Sequence, residues 1–447
     1  MTDSRQPSHR SDLREILVLA IPAMLAQASL PLLNIGETAM IGRLSAEALA
    51  ARAVGAALIG TVYWLFAFLT FGTTSLIGHH YGAGDSKACG ETYLHALFVA
   101  LTGGLFIACA GALFAEPLYQ LMGAEAAVAA QGANYFRIYI ASAPFTLTIY
   151  CSVGFYRGIQ NTTVPMVMAF AITAIQLTLD YGLIYGRLGL PALGLTGAAV
   201  AAWCAQLIGA MTYFGLFFYS PRTAVYCAIP WRITSAGLRP LFRIGQDLAI
   251  RTGALRLSLI FATSTAARMG TATLSAYEIV FQLFMLCSDV IDGLAIAGQA
   301  LVAKYLGSGE KARAYRMGVT LTLCGITAGL LFAVSFAIAW ATIVEFFTTS
   351  VEVIALLTPG ATILVCLIQP LNGAVFVLDG LLIGARDTRY LMWAMVGGAM
   401  IMIPLAWSAR QFDLGLPGIL LAIAALMAWR AATNVSRFVN QAWMRGR

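Results

Sequence analysis

SLIGHHYGAGDSKA (75–88) returns 225 residues later as ALVAKYLGSGEKAR (300–313). GRLSAEALAA (42–51) matches ARMGTATLSA (267–276) at the same interval, and RGIQNTTVPM (157–166) matches IGARDTRYLM (383–392) one residue beyond it. Each likeness is weak alone. Three in one order at one interval are hard to obtain by chance, so the chain is read as two homologous halves.

Composition says what each half is made of. Of 447 residues, 60% are hydrophobic and 11% charged, against roughly 25% charged in a soluble domain. The class is all-α integral membrane, with no separate soluble domain. Crossing the hydrocarbon core takes about 20 apolar residues. Twelve runs qualify: 15–41, 54–78, 93–114, 134–157, 165–186, 193–219, 244–267, 276–302, 317–344, 357–384, 390–409 and 415–436. The first is too long for a signal peptide and is read as a retained helix. Six spans per repeat make the halves parallel, related by an axis along the membrane normal. The expected division is a tail at 1–14, a first bundle at 15–219, a basic loop at 220–243, a second bundle at 244–437 and a tail at 438–447.

Basic residues orient the chain. The termini and even-numbered loops hold 18 Lys and Arg, while the odd-numbered loops hold six: Arg43, Arg52, Arg137, Arg187, Arg268 and Arg410. The positive-inside rule puts both termini in the cytoplasm. The same bias accounts for the net charge of +7 without nucleic acid as a partner. The eight cysteines are dispersed and form no CxxC pair, so neither a disulfide framework nor a metal site is expected. No HExxH or GxSxG pattern supports an enzyme. The loops YGAGD and LGSGE lack the GK[ST] continuation of a phosphate loop. They are read as helix ends, with Asp85 and Glu310 favouring the start of the next helix.

Charges inside spans are the candidate functional residues, because each costs about 2.5–3.5 kcal/mol at the bilayer centre even on lenient scales. Glu37, in LLNIGETAMIG (32–42), reads either as a carboxylate reaching the outer interface or as a protonatable switch. Asp180 lies in the fifth span with Gln176 four residues before it, on the same helix face. It reads either as an ion-coupling group or as a hydrogen-bonded anchor. In the second half, Asp247 and Arg251 form an i,i+4 pair suited to a salt bridge, and Arg256 lies a turn deeper. Asp289 and Asp292 are three apart in the eighth span, and Asp379 begins DGLLIG in the tenth. This set reads as a buried polar network, structural or gating rather than ion-coupling.

Several of these stretches together resemble the multidrug and toxic compound extrusion (MATE) transporters, in their DinF-like branch. The carriers are NIGETAMIGRL (34–44), FGTTSLIGHHYGAGD (71–85), GFYRGIQNTTVP (154–165), LTLDYGLIYG (177–186), DGLAIAGQALVAKYLGSGE (292–310) and LDGLLIGARDT (378–388). The likeness covers about residues 13 to 440. It implies twelve transmembrane helices in two pseudo-symmetric six-helix bundles around a V-shaped central cavity. It also implies export of small amphipathic or cationic compounds in exchange for H⁺, with Na⁺ as the other coupling ion and no cofactor. Glu37 stands where the family has a first-helix Asp, and Gln176 where it often has Asn beside the carboxylate at Asp180. The resemblance makes Pro22 the point at which the first helix bends when the carboxylate is protonated, against the reading of a static kink, and Pro31 offers a second kink. Ala202 replaces a supporting Thr, which weakens a full copy of the family's polar network. The expected setting is a bacterial inner membrane, with the chain as a monomer in the bilayer. The alternative is a flippase or exporter of a lipid-linked or metabolite substrate from the same superfamily.

Overall fold

The computed structural model describes residues 9–228, 232–357 and 360–444. Among them every regular element is a helix and none is a strand. In chain order these are α1 (His9–Gln27), α2 (Ser29–Ile41), α3 (Ala46–Leu65), α4 (Phe68–Gly82), α5 (Ser86–Leu121), α6 (Ala126–Ile140), α7 (Ala143–Gly158), α8 (Thr163–Tyr185) and α9 (Leu195–Tyr219). The short α10 (Ala224–Cys227) leads to α11 (Ser235–Arg268), α12 (Thr271–Gly307), α13 (Lys311–Phe347), α14 (Val351–Leu356), α15 (Gly360–Gly384), α16 (Thr388–Gln411) and α17 (Gly415–Val439).

Among the described residues ten helical stretches are long and apolar enough to cross a membrane, two of them, 11–41 and 46–82, each made of two successive helices. The pair α6 and α7, bent by 46°, makes an eleventh. Helix α11 is long enough at 34 residues, but Arg239, Arg243, Asp247, Arg251, Arg256 and Arg268 set it apart from the apolar runs. Each of the twelve expected spans thus has a helical counterpart.

The internal repeat is visible in where helices begin. Starts at residues 46, 86, 126 and 163 return at 271, 311, 351 and 388. Both glycine loops end a helix as expected, Gly309 at φ 80° like Gly84, and they differ in the acid that follows. Gly84 takes φ 75°, and the Asp85 side chain accepts from Ala88 N at 2.9 Å, capping α5. Glu310 holds the equivalent place before α13 without capping it, and its carboxylate accepts from Ser308 Oγ at 3.1 Å.

The chain forms two compact units. One is Leu25–Gly245; the other joins Gln246 onward to the described residues up to Met24. The expected division at 15–219 and 244–437 therefore differs at the first helix. Its opening turns pack with the C-terminal half: Glu15 accepts from Lys304 Nζ at 2.7 Å and from Tyr305 Oη at 2.5 Å. The helix break falls at Ala28, between the units' boundary and Pro31, which has no N–H to return to Gln27. Pro22 sits inside the continuous α1, and the break lies six residues further on, nearer the second proline, Pro31. The expected loop 220–243 contains α10 and the start of α11, and His95 Nε2 accepts from Thr234 N at 3.1 Å to hold it. Parts of the expected tails (1–8 and 445–447) and of that loop (229–231) lie outside the described residues.

Each unit is held by close helix crossings at small residues. In the C-terminal unit α13 lies against α15 so tightly that a Cβ on Gly325 would come within 2.5 Å of the Gly373 carbonyl oxygen. A core of apolar side chains, including Tyr277, Leu283, Met402 and Leu426, fills the space between its helices.

Candidate functional site

In the Leu25–Gly245 unit a cluster of buried polar groups surrounds Glu37. Helix α2 presents Leu33, Glu37 and Ile41 inward, at i and i+4 spacing. Helix α3 starts at Ser45, whose hydroxyl accepts from Ala48 N at 3.0 Å, and its inward row is Ala48, Ala51, Arg52, Gly55 and Ile59. The two rows place Arg52 beside Glu37, with Arg52 Nη2 2.9 Å from Glu37 Oε2. Both residues are buried, at 7% and 4% exposure. Arg52 Nη1 also donates to Thr38 Oγ1 at 2.8 Å and Nη2 to Asn34 Oδ1 at 3.3 Å. Tyr135 of α6 donates to the other carboxylate oxygen, Glu37 Oε1, at 3.3 Å.

Backbone shape keeps this cluster tight. A Cβ on Gly55 would lie 2.5 Å from Tyr119 Oη and 2.9 Å from the Tyr135 ring, so glycine admits α6 against α3. Tyr119 then donates to the Ala51 carbonyl at 2.9 Å. Tyr139 continues the aromatic face, its ring centroid 5.8 Å from that of Tyr135.

Asp180 is the contrasting group. It is fully buried on α8, and neither carboxylate oxygen has a hydrogen-bond partner among the described residues. Gln176, one turn earlier and also fully buried, leaves both its amide atoms unpartnered. The shared helix face therefore brings no hydrogen bond between Gln176 and Asp180. The charged groups that act on Asp180 are Glu37 and Arg52. Chemically the site is a pair of acids with one guanidinium between two environments. Among the described residues no three His, Cys, Asp or Glu side chains converge as a metal cage would require.

The C-terminal unit has its own buried network, in a different arrangement from the expected one. Arg251 does not pair with Asp247. It donates to Asp379 Oδ2, as does Arg430 of α17, and Asn434 donates to Oδ1 at 2.7 Å. Asp247 instead accepts from Thr388 Oγ1 at 2.7 Å. The three-way demand of Asp379 draws Arg251 across to α15, away from its own helix. Asp292 acts on Arg430 from α12, while Asp289 and Arg256 occupy exposed positions.

Three participants escaped the sequence reading. A second span that begins at 54 leaves Arg52 in a loop; the helix begins eight residues earlier, and the Ser45 cap is the available signal. Arg430 and Asn434 lie inside the last apolar run, where a lone Arg is itself the signal.

Ten or eleven apolar helical spans among the described residues, an internal repeat and buried acids in each half define a polytopic membrane protein of transporter type. It belongs to the MatE family, which it matches over residues 22–182 and 254–408, and whose members are transporters rather than enzymes. It is 26% identical to DNA damage-inducible protein F of Escherichia coli K12, over 93% of this chain and 92% of that one. It is 27% identical to a probable multidrug resistance protein NorM of Bradyrhizobium diazoefficiens, over 88% of this chain and 85% of the relative. A MOP superfamily transporter from Pyrococcus furiosus shares the fold with a TM-score of 0.85 at 18% identity, covering 98% of this chain and 97% of its own. An outward-facing multidrug resistance MATE family transporter does so with a TM-score of 0.86 at 19% identity, covering 97% of each chain.

Proposed function

We propose that this chain is a secondary active efflux transporter that expels small amphipathic compounds, cationic ones included, in exchange for H⁺, with Na⁺ as the alternative coupling ion. The observation that carries the reading is Asp180, fully buried without a hydrogen-bond partner beside the Glu37–Arg52 pair. A buried carboxylate is costly as an ion unless a cation joins it. A proton, a metal cation or a cationic substrate each meets that need, and only one does so at a time. That exclusion is the basis of exchange: an ion arriving from outside displaces substrate, and substrate arriving from inside displaces the ion. One proton moving down 100 mV supplies about 2.3 kcal/mol, enough for roughly 50-fold accumulation of a neutral substrate. The membrane is a bacterial inner membrane in this reading, with both termini cytoplasmic and the chain acting as a monomer. Removal of buried Arg52 from the loop count strengthens the charge bias behind that orientation.

Inverted membrane vesicles with an acid interior test the proposal. Ethidium is added and the lumen followed with a pH-sensitive dye. The expected result is alkalinisation with the wild type and none with Asp180→Asn. Dependence on Na⁺ instead of pH would assign the coupling to Na⁺. Ethidium transport that is indifferent to both ions would overturn the reading.

A further inference from the structure

Glu37 and Asp180 are both buried acids of one unit, yet only one of them has a counter-ion. Glu37 receives Arg52 at 2.9 Å and Tyr135 at 3.3 Å. Arg52 is itself tied to Thr38 and Asn34, so three positions of α2 hold one guanidinium. A guanidinium keeps its charge at any biological pH. A proton or Na⁺ landing on Glu37 would therefore strand a desolvated cation, which opposes its binding. Asp180 faces no such obstacle. The groups acting on it are Glu37 of α2 and Arg52 of α3, and Tyr139 of α6 stands in the same neighbourhood. Of the helices packed on α8, α9 carries no charged residue, and α7 carries Tyr150 and, at its far end, Arg157.

We infer that Arg52 is the built-in counter-ion of Glu37, and that Asp180, of the two buried carboxylates among this unit's described residues, is the one that exchanges a proton or Na⁺ in the transport cycle. This rests on the ion-coupled reading above and narrows it to a single exchangeable charge. Arg52 is a positioning residue: it keeps Glu37 ionised and fixed while Asp180 changes partner. Glu37 anchors α2 against α3 and α6 throughout.

The test needs no substrate. Infrared difference spectra of the purified full-length chain in lipid nanodiscs, recorded across a pH series, report which acids take up protons. In the frequency range of carboxyl groups shielded from water, apart from the bands of the exposed acids, the wild type is expected to show a titrating signal that Asp180→Asn loses and Asp180→Glu shifts. The neutral double variant Glu37→Gln, Arg52→Gln is expected to retain that signal. Arg52→Gln alone, which strips Glu37 of its cation, is expected to gain a second titrating carboxyl signal, and Arg52→Lys is not. A purely structural Arg52 would move none of these bands. The inference is overturned if the wild-type signal survives Asp180→Asn, disappears in the double variant, or stays single in Arg52→Gln. The vesicle experiment is independent: loss of coupled transport there, with the spectra as expected, would discard the efflux reading and leave the assignment of Arg52 intact.

Discussion

Arg430 of α17 donates to Asp379 of α15 where both side chains are almost wholly buried, at 2% and 7% exposure. Arg251 shares the same carboxylate oxygen from α11, so one acid ties three helices together. Removing the acid leaves two guanidiniums without it. Asp379→Ala is expected to destabilise the chain by about 3–5 kcal/mol, the usual cost of breaking a buried ion pair from one side. Against a total stability of about 5–15 kcal/mol, that change lowers the yield of monodisperse protein as well as its melting temperature. Arg251→Ala should cost less, because Arg251 is more exposed, at 13%, and Arg430 stays in place. Thermal unfolding followed by tryptophan fluorescence in detergent orders the two variants, and the opposite order would contradict this account.

Gly55 controls the site from behind. An alanine there meets Tyr119 Oη at 2.5 Å and the Tyr135 ring at 2.9 Å, and the rings must give way. Overpacking of this kind costs about 1–3 kcal/mol. The displaced Tyr135 then withdraws its hydrogen bond from Glu37. Gly55→Ala is expected to reduce ethidium-driven proton movement in vesicles, while Gly60→Ala on the same helix, with nothing within 4 Å of its added Cβ, leaves it near wild type. Equal activities in the two variants would separate the Tyr135 contact from transport.

The span count and the repeat were legible because hydrophobic length and spacing are local properties of a sequence. The starts at 46 and 86 that return at 271 and 311 follow the same interval as the quoted stretches. Charged pairs across helices were not legible, since pairing depends on how faces turn after the helices pack. Asp247 and Arg251 sit one turn apart and invited a pairing, yet Arg251 reaches Asp379, 128 residues away. Glu37 and Asp180 could be named from cost alone, but the partner of Glu37 lies before the expected span start at 54, on a helix that begins at Ala46. The break at Ala28 was masked in the same way: Pro22 and Pro31 both remove a donor, and only packing decides which one bends the helix.

Glu15 clamps the opening turns of α1 to α12 and α13. Its carboxylate meets Lys304 at 2.7 Å and Arg313 at 3.4 Å, and both cations also lie over the Tyr305 ring. These groups are a quarter or so exposed, so the ion pairs contribute only about 0–1 kcal/mol and weaken with salt. Glu15→Gln keeps an acceptor for Tyr305 and is expected to lower the melting temperature slightly at low ionic strength and not at high. A salt-independent loss would point to packing rather than charge.

The crossing of α13 and α15 makes the sharpest stability test, because backbone leaves no flexible atom to yield. A Cβ on Gly325 would sit 2.5 Å from the Gly373 carbonyl oxygen and 2.7 Å from a Val377 methyl. The helices must separate to admit it, and the loss spreads along their whole contact. Gly325→Ala is expected to cost about 1–3 kcal/mol. Gly253 on α11 is the control, since nothing lies within 4 Å of its would-be Cβ. There the better helix propensity of alanine acts alone, and Gly253→Ala should be neutral or gain up to about 1 kcal/mol. The two melting temperatures should therefore move in opposite directions or by clearly different amounts. If Gly325→Ala melts with the control, α13 and α15 do not cross as closely as this structure has them.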